Sequence, residues 1–166
     1  MTRKIVWFWR ACDQLGYPFD GLFKTLLLTA QRSAETASME WSELDFEAKL
    51  WVIPRGKAKS DRAHEVQLAE PVIELLRAQP RRGRYVFTGK TGRHVTGFPH
   101  GKTRLDAAMA AIAGDAKVEK FNTHDLRRTA ASGMARLGIA PQVVDRILNH
   151  SAGTIRGVAA IYNRYA

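Results

Sequence analysis

The sequence predicts an α+β domain that is mainly helical, with a small three-stranded antiparallel sheet to one side. Apolar residues recur at helical spacing along most of the 166-residue chain. Only between residues 43 and 68 does the pattern change to short runs of β-branched and aromatic residues. Neither an internal repeat nor a linker divides the chain, so we expect one domain over residues 1–166.

Two helices are expected first, over residues 4–15 and 19–29. Gly16 is a suitable stop for the first helix, and Pro18 makes a turn before the second, strongly apolar one. Three strands should follow, and the loop that joins the last two contains four cations. The expected strand ranges are 44–46, 50–53 and 65–68.

The remainder of the chain is predicted to be mostly helical. Residues 88–101 are rich in Gly, Thr, Lys and His, which is typical of a surface loop. Apolar spacing and capping residues predict the other elements. The expected helices are 70–78, 102–113, 123–137, 141–148 and 154–166.

Positive charge is concentrated after the predicted second strand. The net charge is +10, with six Lys or Arg against seven Asp or Glu in residues 1–54, and twenty against nine in residues 55–166. A basic half beside a nearly neutral half is typical of a protein that faces a polyanion, most often nucleic acid. No lipidation motif accompanies the charge, so a membrane surface explains it less well.

Cysteine and histidine usage argues against a metal held by the protein. Cys12 is the only cysteine, and the five histidines are scattered without metal-ligand spacing. Arg10 ends the first apolar run too early for a signal peptide, and no stretch reaches the ~20 apolar residues of a membrane span. We therefore expect a soluble, cytoplasmic protein that needs neither a metal nor an organic cofactor.

The motif T-H-D-L-R-R-T at residues 123–129 places a histidine and two arginines at the start of a helix. Asn122 or Thr123 can cap this helix, which should begin at about His124. Free N–H groups, the helix dipole and guanidinium groups together predict a phosphate site. A solvated basic face is the simpler alternative.

Helical periodicity separates the basic residues of this motif. It places Arg127 at the edge of the apolar face, whereas His124 and Arg128 point away from it. An arginine at such an edge is sheltered enough to be held still. The apolar face itself consists of Leu126, Ala130, Met134 and Leu137.

Arg32 directly follows an apolar helix and should lie close to the core. Burial of a guanidinium is costly unless it is paired, and Glu35 three residues later is a candidate partner. A purely structural Arg–Glu pair is the simplest interpretation. The alternative is that Glu35 holds Arg32 ready to grip a phosphate with two hydrogen bonds.

Five motifs occur in an order that resembles a known family. They are T-A-Q-R-S-A-E at 29–35, a hairpin lysine at 57–59, H-D-L-R-R-T at 124–129, L-N-H at 148–150 and G-V-A-A-I-Y-N-R at 157–164. Together they resemble the catalytic domain of the tyrosine recombinases, the phage-integrase family. The resemblance covers nearly the whole chain.

The resemblance implies a catalytic set of six residues. Its two arginines fall on Arg32 and Arg127, with Glu35 supporting the first, and its nucleophile falls on Tyr162. The hairpin lysine, the histidine of H-x-x-R and the second histidine fall on Lys59, His124 and His150.

Two of these assignments have rivals in the sequence. Lys57 competes with Lys59, but the run K-x-x-R-x-H-x-V-x-L that follows the family's lysine fits residues 59–68. Tyr165 competes with Tyr162, which periodicity alone would place on an apolar helix face. The cations expected to contact DNA beside the catalytic set are Arg55, Lys57, Arg62 and Arg128.

The implied chemistry is cleavage of one strand of double-stranded DNA without metal or ATP. Arg32 and Arg127 would balance charge on the phosphodiester, and His150 would add hydrogen bonds. His124 would accept the phenol proton of the nucleophile, and Lys59 would protonate the departing sugar oxygen. The resulting 3′-phosphotyrosyl intermediate would then be rejoined to another strand.

The resemblance also implies a longer protein. Relatives carry an N-terminal core-binding domain and a C-terminal tail, so we expect a catalytic-domain fragment, monomeric alone and tetrameric on DNA in the full-length protein. Two other functions stay open. One is a type IB topoisomerase-like enzyme, against which His124 argues, and the other is a DNA-binding module that cuts nothing.

Overall fold

The computed structural model describes residues 2–59 and 62–150 of the chain. Within these ranges the strands are β1 (Leu44–Asp45), β2 (Leu50–Ile53) and β3 (His64–Gln67). The helices are α1 (Thr2–Asp13), α2 (Phe19–Thr29), α3 (Ser33–Ala37), α4 (Glu70–Arg77), α5 (Phe98–Ala113), α6 (Thr123–Arg136) and α7 (Pro141–Ile147). The predicted α+β class with a small antiparallel sheet is confirmed.

The three strands form a meander in the order β1-β2-β3, and both pairs are antiparallel. Trp51 pairs with Val66, and both side chains are buried together with Ile53. Val52, between the two buried residues of β2, is exposed. This alternation is typical of a sheet with one face on the core and the other in solvent.

The main core lies between the sheet and helices α1, α2, α4 and α5. Leu22, Phe23 and Leu26 of α2 are almost completely buried at its centre. Helix α2 is therefore the central helix, which agrees with its strongly apolar sequence. None of the helices in residues 2–59 and 62–150 is long and apolar enough to cross a membrane.

Helix α5 begins four residues before its predicted start at residue 102. Gly97 caps it with a φ of 80°, and Pro99 occupies its first turn, where a missing N–H costs nothing. A Cβ at Gly101 would lie 2.5 Å from the ring of Phe19, so only glycine allows α5 to approach α2 this closely. The predicted loop over 88–101 is therefore shorter at its C-terminal end.

The short helix α3 was not expected. It begins immediately after Arg32, whose backbone N–H donates to Glu35 Oε2 at 3.3 Å. This contact serves one of the N–H groups at the helix start, and Glu35 is buried. The same acid therefore shapes the backbone around Arg32 and, as described below, binds its side chain.

Helices α6 and α7 share a second, much smaller apolar cluster. Its buried members are Ala30, Val144 and Leu148. Leu137, which was expected on the inward face of α6, is 81% exposed. It is the C-cap, and Gly138 follows with a φ of 76°, so the backbone leaves the helical path before Leu137 can join the apolar face.

The predicted last helix over 154–166 lies outside the described residues. Tyr162 and its rival Tyr165 are part of that segment.

Candidate active site

Two arginines from distant parts of the chain bind neighbouring carbonyls at the end of α7. Leu148 O accepts a hydrogen bond from Arg127 Nη2, and Asn149 O accepts one from Arg32 Nη2 at 3.3 Å. Carbonyls at a helix C-terminus lack a partner within the helix and lie at the negative end of its dipole. The end of α7 therefore brings the two guanidinium groups together.

Arg127 also connects α7 to α2. Its Nη1 donates to Ala30 O at 2.6 Å, and Ala30 is the C-cap of α2 in a left-handed conformation. With 4% of its surface exposed, Arg127 is far more buried than the edge position predicted from periodicity. The two carbonyls replace the water that a buried guanidinium loses, which explains why this depth is tolerated.

The surroundings of Arg127 disfavour the charged form of its guanidinium. Burial, and secondly the positive charge of Arg32, lower the pKa of Arg127 to about 10, while Glu35 acts in the opposite direction. A guanidinium with this pKa stays charged at neutral pH. An anion placed between the two arginines would offset both effects, because its negative charge favours the charged guanidinium.

The predicted pairing of Arg32 with Glu35 is confirmed. Arg32 Nη1 lies 3.3 Å from Glu35 Oε1, and the side chains are 25% and 2% exposed, respectively. The same carboxylate oxygen accepts the backbone N–H of Lys59 at 3.2 Å. Glu35 thus links Arg32 to the segment between β2 and β3, while the Arg32 side chain remains partly exposed.

The two candidate lysines of the β2–β3 connection have different surroundings. The Lys59 side chain is exposed, and only its backbone N–H contacts Glu35. Lys57 Nζ instead donates to Ser38 O at 2.8 Å, to Glu40 Oε1 at 2.7 Å and to Glu43 Oε1. An ammonium has three N–H donors, and all three are used here. This geometry argues against the predicted DNA contact for Lys57.

His150 directly follows the two carbonyls and is oriented by an acid. Its Nδ1 lies 2.9 Å from Asp145 Oδ1, and its backbone N–H donates to Asp145 O at 3.0 Å. Both side chains are partly buried. A carboxylate at Nδ1 fixes the ring so that Nε2 is the nitrogen directed away from α7.

The start of α6 differs in part from the predicted anion site. Asn122 caps the helix: its Oδ1 accepts the N–H of Asp125 at 3.1 Å, and Asp125 Oδ2 accepts the N–H of Asn122 at 2.8 Å. The Asp125 carboxylate in the first turn already interacts with the positive end of the helix dipole. The arginine side chains are therefore better placed to meet an anion than the N–H groups at the start of the helix.

His124 is exposed in the first turn of α6. Partial desolvation, followed by the charges of Arg128 and Arg127, lowers the pKa of His124 below its usual value. A neutral imidazole at physiological pH can accept a proton.

The remaining predicted DNA contacts are at the surface. Arg55, Arg62 and Arg128 are exposed, and Arg128 forms an ion pair with Asp125 at 3.1 Å. The predicted nucleophile Tyr162 lies outside the described residues.

Three contributors to the site were not identified from the sequence. Gln31 Nε2 donates to Ile147 O at 3.0 Å, and His64 Nε2 lies 3.2 Å from the same oxygen. Asp145, which orients His150, is the third. Position next to Arg32 could have indicated Gln31, and membership in the K-x-x-R-x-H run could have indicated His64. Asp145 has no comparable signal.

Comparisons with known proteins find integrases among the relatives of this chain. The chain is 29% identical over 134 residues to the prophage integrase IntA of Escherichia coli K12, covering 78% of this chain and 30% of that protein. It is 28% identical over 149 residues to the integrase of Salmonella phage P22, covering 83% and 38%, respectively. The chain therefore spans less than half the length of these relatives.

The fold is also found among solved structures. A lambda integrase dimer bound to a COC′ core site superposes with a TM-score of 0.70 at 14% identity, covering 92% of this chain and 57% of that one. The sequence profile of the phage integrase family matches residues 4–166. The chain belongs to the phage integrase family.

Proposed function

We propose that the chain is the catalytic domain of a site-specific DNA recombinase that cleaves and rejoins strands through a covalent tyrosine intermediate. The observation that carries this proposal is the placement of Arg32 and Arg127 on adjacent carbonyls of one turn, immediately before His150. Membership in the integrase family supports the same reaction class.

The charge balance of the site fits a single phosphodiester. Arg32, Arg127 and Lys59 contribute three positive charges, whereas Glu35 and Asp145 contribute two negative ones. A phosphodiester carries one negative charge, which compensates the surplus. In-line attack spreads further charge over the equatorial oxygens, where two fixed guanidinium groups stabilise it.

The proposed step forms one bond and breaks one bond at phosphorus. The phenolic oxygen of Tyr162 attacks, and its proton passes to His124, whose lowered pKa keeps the ring neutral and able to accept it. The bond from phosphorus to the 5′ oxygen breaks, and that oxygen takes a proton from Lys59. Arg32, Arg127 and His150 hold the phosphate throughout, and no metal or ATP takes part.

Double-stranded DNA is the proposed partner, and the chain would act on it in the cytoplasm. The lambda integrase structure contains DNA and a dimer, which supports both DNA binding and self-association of this chain on DNA. A tetramer on two DNA sites is the assembly we infer for the full-length protein. The net charge of +10 would favour DNA binding at low salt.

Covalent capture tests the proposal without knowledge of the DNA site. The chain is incubated with nicked duplexes whose sequence around the nick is randomised, and DNA still attached to protein after denaturation is recovered and sequenced. We expect an adduct from the wild type and from Tyr165→Phe. Tyr162→Phe should form none, while it binds the recovered duplex within about twofold of the wild type.

Other outcomes select other functions. If Tyr162→Phe still forms the adduct and Tyr165→Phe does not, the nucleophile is Tyr165. Salt-sensitive binding without any adduct would support a DNA-binding module. An adduct whose strand is only resealed to its original partner would support the topoisomerase-like alternative.

A further inference from the structure

The β2–β3 connection is fixed to the rest of the domain at Lys57. The ammonium uses its three donors on Ser38 O, Glu40 Oε1 and Glu43 Oε1, and the Lys57 side chain is only 24% exposed. Both carboxylate side chains are 7% exposed. An ammonium held this way cannot leave without exposing buried charge, so this contact is costly to break.

The two acids are themselves held in place by other elements. Glu40 Oε2 accepts from Arg84 Nε at 2.6 Å, and hydrogen bonds from Arg84 and then Lys57 lower the pKa of Glu40 to about 2. Glu43 Oε2 accepts from Trp51 Nε1 at 3.1 Å, and Trp51 is completely buried in β2. We call Glu40, Glu43, Lys57 and Arg84 the Glu40 cluster.

The backbone between Lys57 and Lys59 is short and restrained. The N–H groups of Lys57 and Ala58 both donate to Pro54 O, at 2.9 and 3.0 Å, and Ala58 is buried. The N–H of Lys59 then donates to Glu35 Oε1. The turn is thus attached to the Glu40 cluster on one side and to the Arg32–Glu35 pair on the other.

We propose that Lys57 is a positioning residue, which holds the β2–β3 turn so that the Lys59 ammonium reaches the departing 5′ oxygen. This inference rests on the proposed function and assigns to Lys57 a role distinct from DNA contact. Loss of the Lys57 ammonium removes this attachment and leaves the buried Glu40 and Glu43 carboxylates without the cation they share, so the turn is no longer held at this point. Lys59 then donates its proton less effectively, because proton transfer depends steeply on position.

Replacement of the 5′ bridging oxygen of the scissile phosphate by sulfur isolates this step. A thiol has a pKa of about 8.5, so a thiolate leaves without a proton, whereas an alkoxide needs one. We expect Lys57→Met to cleave the captured oxygen substrate about 10 to 100 times more slowly than the wild type. On the sulfur substrate it should return to within about threefold of the wild type. Lys59→Met should show the same pattern with a larger defect.

Lys49→Met is the matched control, because it removes an equal charge from the neighbouring β1–β2 turn, at an exposed pair with Glu70. It should cleave both substrates at the wild-type rate. If Lys57→Met fails to show a cooperative thermal transition, Lys57→Gln replaces it, since its amide N–H groups can still donate to a carboxylate while the charge is lost. Its defect should be smaller and should be rescued by sulfur in the same way.

Two results would overturn the inference. If Lys57→Met cleaves both substrates equally slowly, Lys57 supports the whole site and not proton donation in particular. If Lys57→Met cleaves both at the wild-type rate, Lys57 has no role in positioning Lys59. If the wild type forms no adduct with either substrate, the proposed function itself fails. The wild-type reaction therefore separates failure of the function from failure of the Lys57 role.

Discussion

Two buried acids five residues apart, Glu35 and Glu40, organise clusters with opposite charge balance. Around Glu40, two carboxylates face Lys57 and Arg84, so the charges cancel. Around Glu35, one carboxylate faces Arg32, with Arg127 close by, so positive charge remains. A balanced cluster needs no further charge, whereas an unbalanced, positively charged one favours an anion beside it. The difference distinguishes scaffold from site more clearly than residue type does.

The largest expected effect is that of Arg127→Ala. It removes one of the two proposed phosphate-binding arginines and leaves Ala30 O and Leu148 O without their Arg127 donor. We expect cleavage of the captured substrate to fall about 10³-fold or more, with much weaker loss of binding. The free energy of unfolding should also fall by about 2–4 kcal/mol, measured by denaturant titration. Equal losses in cleavage and binding would make Arg127 a simple phosphate anchor.

Arg32→Ala and Arg84→Ala form the pair that tests the comparison most directly. Each removes a cation from a buried glutamate, but only Arg32 lies in the unbalanced cluster. We expect Arg32→Ala to slow cleavage by about 10²-fold or more, and Arg84→Ala to stay within about threefold of the wild type. Single-turnover cleavage of the captured duplex measures both. Similar defects in the two variants would remove the distinction between the clusters.

The Glu40 cluster should be detectable in acid unfolding. The pKa of Glu40 is lowered from the ordinary 4.5 to about 2, so the ionised Glu40 carboxylate stabilises the fold above pH 4.5. That contribution is lost as the pH falls from about 4.5 towards 2. Glu40→Gln should lack this part of the pH dependence of the unfolding free energy, which thermal unfolding between pH 2 and 6 measures. An unchanged pH profile would mean that Glu40 is not held ionised by its partners.

Arg128→Ala should have the smallest effect. Its side chain is 64% exposed and pairs only with Asp125 at the surface, so unfolding should change by less than about 0.5 kcal/mol. If Arg128 contacts a DNA phosphate, the slope of log binding constant against log salt should decrease by about one. An unchanged slope would remove Arg128 from the DNA contacts.

The sequence predicted those features that depend on residue type and local spacing. Examples are the apolar helix α2, the cap at Asn122 and the Arg32–Glu35 pair. Each depends only on residues that are close together in the sequence. The burial of Arg127 could not be predicted, because its partners are backbone carbonyls, which every residue type carries. The different surroundings of Lys57 and Lys59 could not be predicted either, since the acids that bind Lys57 lie 14 and 17 positions away in the sequence.

The end of α7 has a consequence for biosynthesis. Its carbonyls bind side chains 116 and 117 positions earlier in the chain, namely those of Gln31 and Arg32. A nascent chain can form the main core around α2 before residues 147–149 leave the ribosome, because α7 belongs to a separate small cluster. Until then the two arginines have no common turn to bind. The two arginines are therefore brought together only after the main core can already have formed.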